Sequence, residues 1–497
     1  MSLFFFAALS GALLTLSFPR VGNAAVAWVA LVPLLVAVCR APRWQAGWLG
    51  FLAGAIHFGG TIYWIPAVLV DYGGLPPSAA WLVHVLFVSF LALFPALFSL
   101  AMGDLVSRFG VVGLAFAPAV WVTTELGRMH LFTGFPWVLL GYSQVPFLAV
   151  AQAASVVGVL GVSALVVLGN TTIAYMMVAE TRLRRGSIVA IVVLVVGVLA
   201  FGEWRLQRSE LLEAGTQLKV AALQGNIVQD DKWDPGKSDA ILSTYVRQTE
   251  TAAQAGADLI VWPEAATPFP LARDPRGEII RELARRTQTH LLIGTTDIET
   301  DDQTRFYNAA YMLGPAGETS GIYRKQHLVP FGEYVPLRRA LFFVSPLVET
   351  VAGFTAGTES RGLPLGERFV STAICYEIIY PGLVRDLVLA GTDLLTTMTN
   401  DAWYGRTAAP YQHFQQARMR AIEQGRYLVR AANTGISGVI DPYGRVLAHS
   451  PLFEEAVVVE EVRLLTTVTL YGRMGDAPAY AGVAIALIAL VSRRRRM

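Results

Sequence analysis

Apolar and charged positions are segregated along this chain. The first 203 residues contain long runs without Asp, Glu, Lys or Arg, among them 45–70, 72–103 and 129–179. Runs of this length match membrane spans, which need about 20 apolar residues each. The pattern predicts seven spans, at roughly 2–17, 24–39, 47–70, 79–103, 110–124, 152–178 and 187–203, and an eighth at 478–492. From Leu218 onward the pattern changes to short β-branched and aromatic runs separated by polar, helix-like stretches. Strands are predicted at 219–223, 259–262, 290–293, 308–313, 369–374, 394–398, 428–432 and 437–440, and helices at 239–255, 278–287 and 413–423. Wholly apolar strands such as the one ending at Trp262 indicate sheets covered on both faces.

The predicted organisation is therefore a polytopic α-helical bundle of about eight spans carrying an α/β domain. Residues 1–203 form the seven-helix membrane part, 204–217 a connector, 218–465 the α/β domain, and 466–497 the last span with a basic tail. A composition of 54% hydrophobic and 15% charged residues agrees with a membrane protein. The N-terminal run lacks a basic leader and a small-residue cleavage site, so no removable signal peptide is expected.

Arginines set the expected orientation. With a single span in 129–179, the short loops and tail on one side carry Arg40, Arg43, Arg108, Arg182, Arg184, Arg185 and Arg493 to Arg496, against Arg20 and Arg128 on the other. Two spans there would move seven of those ten outside. Gly134, Pro136 and Gly141 also interrupt 132–150, as suits a re-entrant or interfacial segment. The positive-inside bias then places both termini in the cytoplasm and the α/β domain on the far side. The net charge of +2 mostly reflects these arginines, and no basic run outside the tail points to nucleic acid. Asp104 and Glu125 fall near span ends, where acids are cheap, which argues against a transporter with paired intramembrane charges.

Three segments of the α/β domain carry candidate chemistry. Glu264 closes the apolar run from Leu259, where Pro263 breaks the ladder, at the strand end where α/β folds place reactive groups. Lys325 is one of only four lysines (219, 232, 237 and 325) in a chain with 39 lysines and arginines together. A compact ammonium is wanted where one oxygen must be approached or a pKa tuned. Cys375 is the only cysteine of the domain, since Cys39 falls in a predicted span, and so it cannot form an intradomain disulfide. A carboxylate base, an ammonium and a thiol together make an acyl acceptor. The ammonium and carboxylate are expected to bring the thiol's pKa down into the working range, with Glu264 taking its proton and Lys325 and the Tyr376 N–H facing an oxyanion. The seven histidines lack zinc-ligand spacing, so neither metal nor cofactor is expected.

With these residues in hand, 218–465 resembles the nitrilase superfamily, whose triad runs Glu, Lys, Cys. Here Glu264 lies in VWPE, Lys325 follows 61 residues on and Cys375 another 50, with NDAW at 400–403 and RAANTGIS at 430–437. The resemblance implies an αββα sandwich. The flanking spans narrow it to apolipoprotein N-acyltransferases, over nearly the whole chain. That family implies a phospholipid acyl donor, a thioester on Cys375, ping-pong transfer, and an acceptor α-amine on the N-terminal S-diacylglyceryl-cysteine of lipoproteins. It also implies the periplasmic face of a bacterial inner membrane. By motif, LVPFGEYVP supplies Glu333 as a support for Lys325, and ICYE supplies Tyr376 and Glu377 beside the nucleophile. The segment Gln224-Gly225-Asn226, with Trp233, corresponds to a substrate entrance, and Trp403 of NDAW joins the substrate-binding set. Leu341 to Leu347 and Phe354 are expected as lids dipping into lipid, and a monomer is expected. The alternatives are a membrane-anchored amidase or nitrilase acting on a small amide, and a non-catalytic sensor or transporter.

Overall fold

A computed structural model describes residues 2–179, 181–300, 303–334 and 353–492. The expected lid segment 341–347 and the basic tail from Arg493 lie outside these residues. Three described helical segments are long and apolar enough to cross a membrane: Pro77–His130, Ala154–Val178 and Val189–Leu212. A fourth candidate is Arg43–Thr61 with Ile65–Asp71, bent by 51°, and shorter apolar helices cover Leu3–Leu16, Ala24–Val38 and Ala477–Val491. The first segment is not one rod. It turns at a 3-10 stretch, Gly110–Phe116, and folds back so that Phe98 meets Trp121 and Phe90 meets Phe132, with ring centroids 5.0 and 5.8 Å apart. Small residues let these helices approach closely. A Cβ at Gly50 would sit 2.2 Å from the Pro95 carbonyl oxygen, and one at Gly54 2.9 Å from the Pro95 ring.

Between His130 and Ala154 the described helices are only a five-residue 3-10 turn, Leu140–Gln144, and Leu148–Ala151. Non-helical backbone packed among apolar helices must find partners within the protein. Arg128 supplies them by donating to the carbonyls of Phe135 at 2.9 Å and Trp137 at 2.5 Å. Glu125 accepts the Leu140 N–H at 2.7 Å, and Ser163 accepts that of Gly141 at 2.8 Å. The expectation that Glu125 lies at a cheap, watery span end is thereby corrected: it is buried and caps irregular backbone. Asp104 instead pairs with Arg43 and Arg108, at 3.4 and 2.6 Å.

Among its described residues the α/β domain holds twelve strands: β1 (Thr216–Gln224), β2 (Leu259–Val261), β3 (His290–Thr300), β4 (Thr304–Leu313), β5 (Thr319–Arg324), β6 (Leu363–Leu365), β7 (Arg368–Ile374), β8 (Leu394–Thr399), β9 (Leu428–Ala432), β10 (Gly438–Ile440), β11 (Val446–His449) and β12 (Ala456–Leu464). They form two six-stranded sheets, ordered β12-β1-β2-β3-β4-β5 and β11-β10-β9-β8-β7-β6. Each has a parallel centre (β1-β2-β3 and β7-β8-β9) flanked by antiparallel strands. Side-chain alternation sorts the faces. Val220, Ala222, Leu292 and Met312 meet Val370, Ile374, Met398 and Val429 in the core between the sheets. Their neighbours Ala221, Leu223, Leu291 and Leu313 pack under helices Ser238–Gln254 and Gly277–Thr287. Helices Pro381–Leu389 and Ala409–Gln424 cover the other outer face, which completes the αββα layering.

The domain is fixed directly against the apolar helices. Trp137 donates its indole N–H to Gln412 at 2.7 Å, and Gln412 donates to the Thr61 carbonyl at 3.0 Å. Tyr380 donates to the Gly134 carbonyl at 3.0 Å. Glu423 accepts the Val159 N–H at 2.8 Å, beside the break at Gly158, where φ is 67°.

Candidate active site

The parallel strand ends of both sheets converge on one buried cluster. Glu264 follows β2, Cys375 follows β7, Asn400 follows β8, and Lys325 follows β5 from the other side of the first sheet. The turn carrying Glu264 lies flat on β3 because residue 294 is glycine; a Cβ there would sit 2.1 Å from the Pro263 carbonyl oxygen. Lys325 is 1% exposed, and its ammonium donates to Glu333 Oε1 at 2.9 Å and Glu264 Oε1 at 3.4 Å. Asn308, on β4, donates one Nδ2 to both carboxylates, at 2.8 Å to Glu264 and 2.9 Å to Glu333. The Asn400 N–H meets Glu264 Oε2 at 2.9 Å, and the Val329 N–H meets Glu333 Oε2 at 2.7 Å. Both carboxylates are thus held by fixed donors rather than by water.

Cys375 opens a 3-10 turn, Cys375–Ile379, with φ of 53°, a left-handed value unusual for a residue with a Cβ. Strain of this kind costs about 1–3 kcal/mol and persists only where the surroundings impose it. Two contacts impose it here. His413 Nε2 lies 3.1 Å from the Cys375 carbonyl oxygen, and Glu377 Oε2 accepts the Ile374 N–H at 2.7 Å. His413 is anchored by Asp401 at 3.1 Å, and Asp401 in turn by Arg430 at 2.7 Å.

The charge sits on the carboxylate, not on the sulfur. Burial pushes the Glu264 carboxyl up, but Lys325, Lys232 and the Asn308 hydrogen bond outweigh it and hold the group below its usual range. Burial, reinforced by Glu264, raises the Cys375 thiol above its ordinary value despite Lys325. The expectation that lysine and glutamate lower the thiol's pKa is corrected accordingly: the neighbouring carboxylate and the lack of water work against a resting thiolate. Burial opposes the Lys325 ammonium, yet Glu333 and Glu264 hold it firmly protonated. The resting arrangement is a thiol facing an ionised base, with a fixed cation beside both.

The other expected site residues separate by location. Tyr376 is buried and packs its ring on Tyr380 with centroids 5.3 Å apart. Glu377 does not touch Lys325 or Glu264; its carboxylate collects the N–H groups of Ile374, Gln326 and His327 and the Tyr323 hydroxyl, tying β7 to the segment after β5. Asn226 has φ of 51° and donates its N–H to the Asn433 carbonyl at 2.8 Å in a turn outside the cluster. Gln224 is locked in the core by Ser437, Ser450, Pro451 and Glu454 and faces no entrance. Trp233 and Trp403 are exposed, the latter edge-on to Tyr72 with centroids 4.8 Å apart. Phe354 hydrogen-bonds through its N–H to the Glu333 carbonyl.

Asn308, Asn400, Lys232 and His413 were not singled out by sequence. Asn308 had a signal: a lone amide in an otherwise apolar strand, where asparagine is disfavoured. Lys232 also had one, as one of four lysines, and Asn400 opens the NDAW motif whose tryptophan drew attention first.

The two-sheet domain is that of a carbon-nitrogen hydrolase, whose family model matches residues 219–470. A second model, the apolipoprotein N-acyltransferase N-terminal domain, matches 10–172. The apolipoprotein N-acyltransferase of Geobacter metallireducens is 40% identical over 510 residues, covering 99% of this chain and 95% of its own length. Those of Methylococcus capsulatus and Vibrio vulnificus are 35% and 33% identical, covering 98% and 99% of this chain and 95% and 97% of theirs. The chain belongs to the apolipoprotein N-acyltransferase family.

Proposed function

We propose that this protein moves a fatty acyl chain from a membrane phospholipid, through a thioester on Cys375, to the α-amino group of the N-terminal S-diacylglyceryl-cysteine of lipoproteins. The observation that carries the reading is the direct fixation of the Glu264–Lys325–Cys375 cluster against the apolar helices, in a chain matched end to end by relatives of that name. Both substrates are lipids whose reactive ends sit at headgroup level, so a cleft held at the membrane surface needs no flexible tether.

The geometry supports the following steps. Glu264 takes the Cys375 proton as sulfur attacks the ester carbonyl, and Lys325 with the Tyr376 N–H faces the oxyanion that forms. Collapse breaks the ester C–O bond; the leaving lysophospholipid oxygen regains its proton from Glu264. The lipoprotein amine then attacks the thioester carbonyl and gives a proton to Glu264; collapse breaks the C–S bond, and the leaving sulfur takes that proton back from Glu264 to restore the thiol. Between the half-reactions water must be kept out, or the enzyme becomes a phospholipase.

Eight spans, with both termini cytoplasmic and the catalytic domain on the periplasmic side of an inner membrane, belong to the same reading, as does a monomer. They are supported by the arginine bias, by the fold-back of Pro77–His130 and by the short helices of 131–153. The small-amide and sensor readings are favoured less, because the relatives extend over the helices as well as the domain. The test is intact mass of the detergent-purified protein after incubation with phosphatidylethanolamine, for wild type and Cys375→Ala. A fatty-acyl adduct on wild type alone, discharged by a diacylglyceryl-cysteine peptide, is the expected result. Folded wild type without an adduct would overturn the phospholipid donor.

A further inference from the structure

Two of the four lysines are buried, and both converge on Glu264. Lys325 reaches the carboxylate. Lys232 is 4% exposed, and its ammonium donates to the main-chain carbonyl oxygen of Glu264 at 2.9 Å. Lys237, five residues on, is exposed and pairs with Asp231. The segment 226–233 that carries Lys232 touches the base a second time: Gln229 accepts from the Asn400 side chain at 2.6 Å, and the Asn400 N–H sits on Glu264 Oε2 at 2.9 Å. The outward side of the same segment presents Val228 and Trp233, 59% and 52% exposed.

Holding a carbonyl does not require a charge. A glutamine or a hydroxyl would serve, and an ammonium removed from water is costly unless compensated. The compensation is visible in the count of buried charges. Glu264 and Glu333 bring two negative groups, Lys325 and Lys232 two positive ones. Glu264 also faces the Cys375 thiol and the Tyr404 hydroxyl. The other acids nearby are separately satisfied, Asp401 by Arg430 and Glu377 by main-chain N–H groups. Lys232 therefore completes a neutral cluster and pins the turn in which Ala265, next to the base, has φ of 43°.

We propose that Lys232 is a positioning residue of this site, fixing the Glu264 peptide and keeping the base ionised while tying it to the exposed loop of Trp233. The inference rests on the reading of Glu264 as base and Cys375 as nucleophile. Burial lowers the Lys232 ammonium to about 8, against the pull of Glu264 and Cys375, so it carries charge at neutral pH.

The test is the pH profile of Cys375 alkylation by iodoacetamide in the full-length, detergent-purified protein, read by intact mass. It uses no phospholipid. Wild-type protein whose Cys375 resists iodoacetamide would fault the underlying reading; a reactive wild type with unaffected variants would fault this one. Lys232→Met and Lys232→Gln both remove the charge, and Gln keeps a donor for the carbonyl. The acid limb, set by ionisation of Glu264, is expected to move up by about half a unit or more in both, since a nearby cation favours the carboxylate. The plateau rate is expected to fall at least about 10-fold in Met and less in Gln. Lys232→Arg is expected to leave the acid limb in place. A simple packing role would lower the rate without moving the limb. The proposal is overturned if either uncharged variant, folded by thermal scan, keeps the wild-type limb. Should neither fold, an Arg variant whose acid limb departs from wild type overturns it.

Discussion

Glu333→Gln is the most informative single change in the cluster, because it removes a charge and almost no volume. The Lys325 ammonium lies 2.9 Å from Glu333 and 3.4 Å from Glu264. With an effective dielectric constant of about 20, those separations correspond to attractions of roughly 6 and 5 kcal/mol before desolvation is counted. The two pulls are nearly balanced, and the ammonium is shared. An amide at 333 cannot reproduce this. With its oxygen on the Val329 N–H, its NH2 faces the ammonium; flipped, its NH2 faces the Val329 N–H. Either orientation sets donor against donor. Lys325 is then drawn toward Glu264, tightening the pair at the expense of the base and moving the cation off the oxyanion position.

A displaced oxyanion donor costs about 3–4 kcal/mol, or roughly 10²- to 10³-fold in rate. The expected result is a loss of that size in the rate of acyl-adduct formation on Cys375, followed by quenched intact-mass time courses with phosphatidylethanolamine. Thermal unfolding by tryptophan fluorescence should show a folded protein, since Glu264 still partners the lysine. A folded Gln variant that acylates within threefold of wild type would refute the sharing of the ammonium between two carboxylates.

Tyr323→Phe removes a hydroxyl 3.0 Å from each oxygen of Glu377; a lost hydrogen bond to a charged group should lower stability by about 1.5–3 kcal/mol, visible as a drop in Tm. Glu377 also gives stability a pH signature. Burial raises its carboxyl from 4.5 to about 7, so between those values the folded state binds the proton more tightly than the unfolded chain. Stability is therefore greatest near the acid end of that window and falls as pH rises through it, and Glu377→Gln should flatten this dependence in Tm-versus-pH scans. Gly158→Ala places a Cβ 2.4 Å from the Tyr471 ring at a φ of 67°; more than about 1–3 kcal/mol of backbone strain is expected, read as a lower Tm and weaker retention of the folded state in detergent.

The sequence made the layering, and the placement of Glu264 and Cys375 at strand ends, legible for definite reasons. Parallel central strands are buried on both faces, so β2 reads as an apolar run and β7, β8 and β9 as short runs of apolar and β-branched residues, and Glu264, Cys375 and Asn400 fall just past strand ends. The four strands not foreseen are flanking ones. β5 is polar and contains a glycine, β6 is three residues with a central proline, β11 is exposed at alternate positions, and β12 carries two adjacent glutamates. Periodicity cannot see such strands, because their partners rather than their own sequences define them. The reversed thiol pKa was hidden for a related reason. Chain order lists which charges are present, but only burial decides whether the proton rests on sulfur or on carboxylate. Trp233 and Trp403 illustrate the opposite limit: motif neighbours of the site, they lie at the surface while the less conspicuous Lys232 and Asn400 point inward.

The seam between the two parts of the molecule also bears on Cys375. Trp137, from the irregular segment 131–153, packs its indole against His413 with centroids 5.6 Å apart and fixes Gln412 beside it. His413 in turn faces the Cys375 carbonyl oxygen, which orients the peptide joining Cys375 to Tyr376. The direction of the Tyr376 N–H is thus set by a residue whose other side is covered by the membrane half. Tyr380, which caps the end of the turn that Cys375 opens, closes the opposite flank through Gly134. Cutting the domain away before β1, at residue 215, would keep every residue of its described strands but uncover His413 and release both flanks of the turn. The apolar helices thus bear on the site itself: the left-handed peptide at Cys375 is imposed partly from their side, so the two parts of the chain contribute to one geometry.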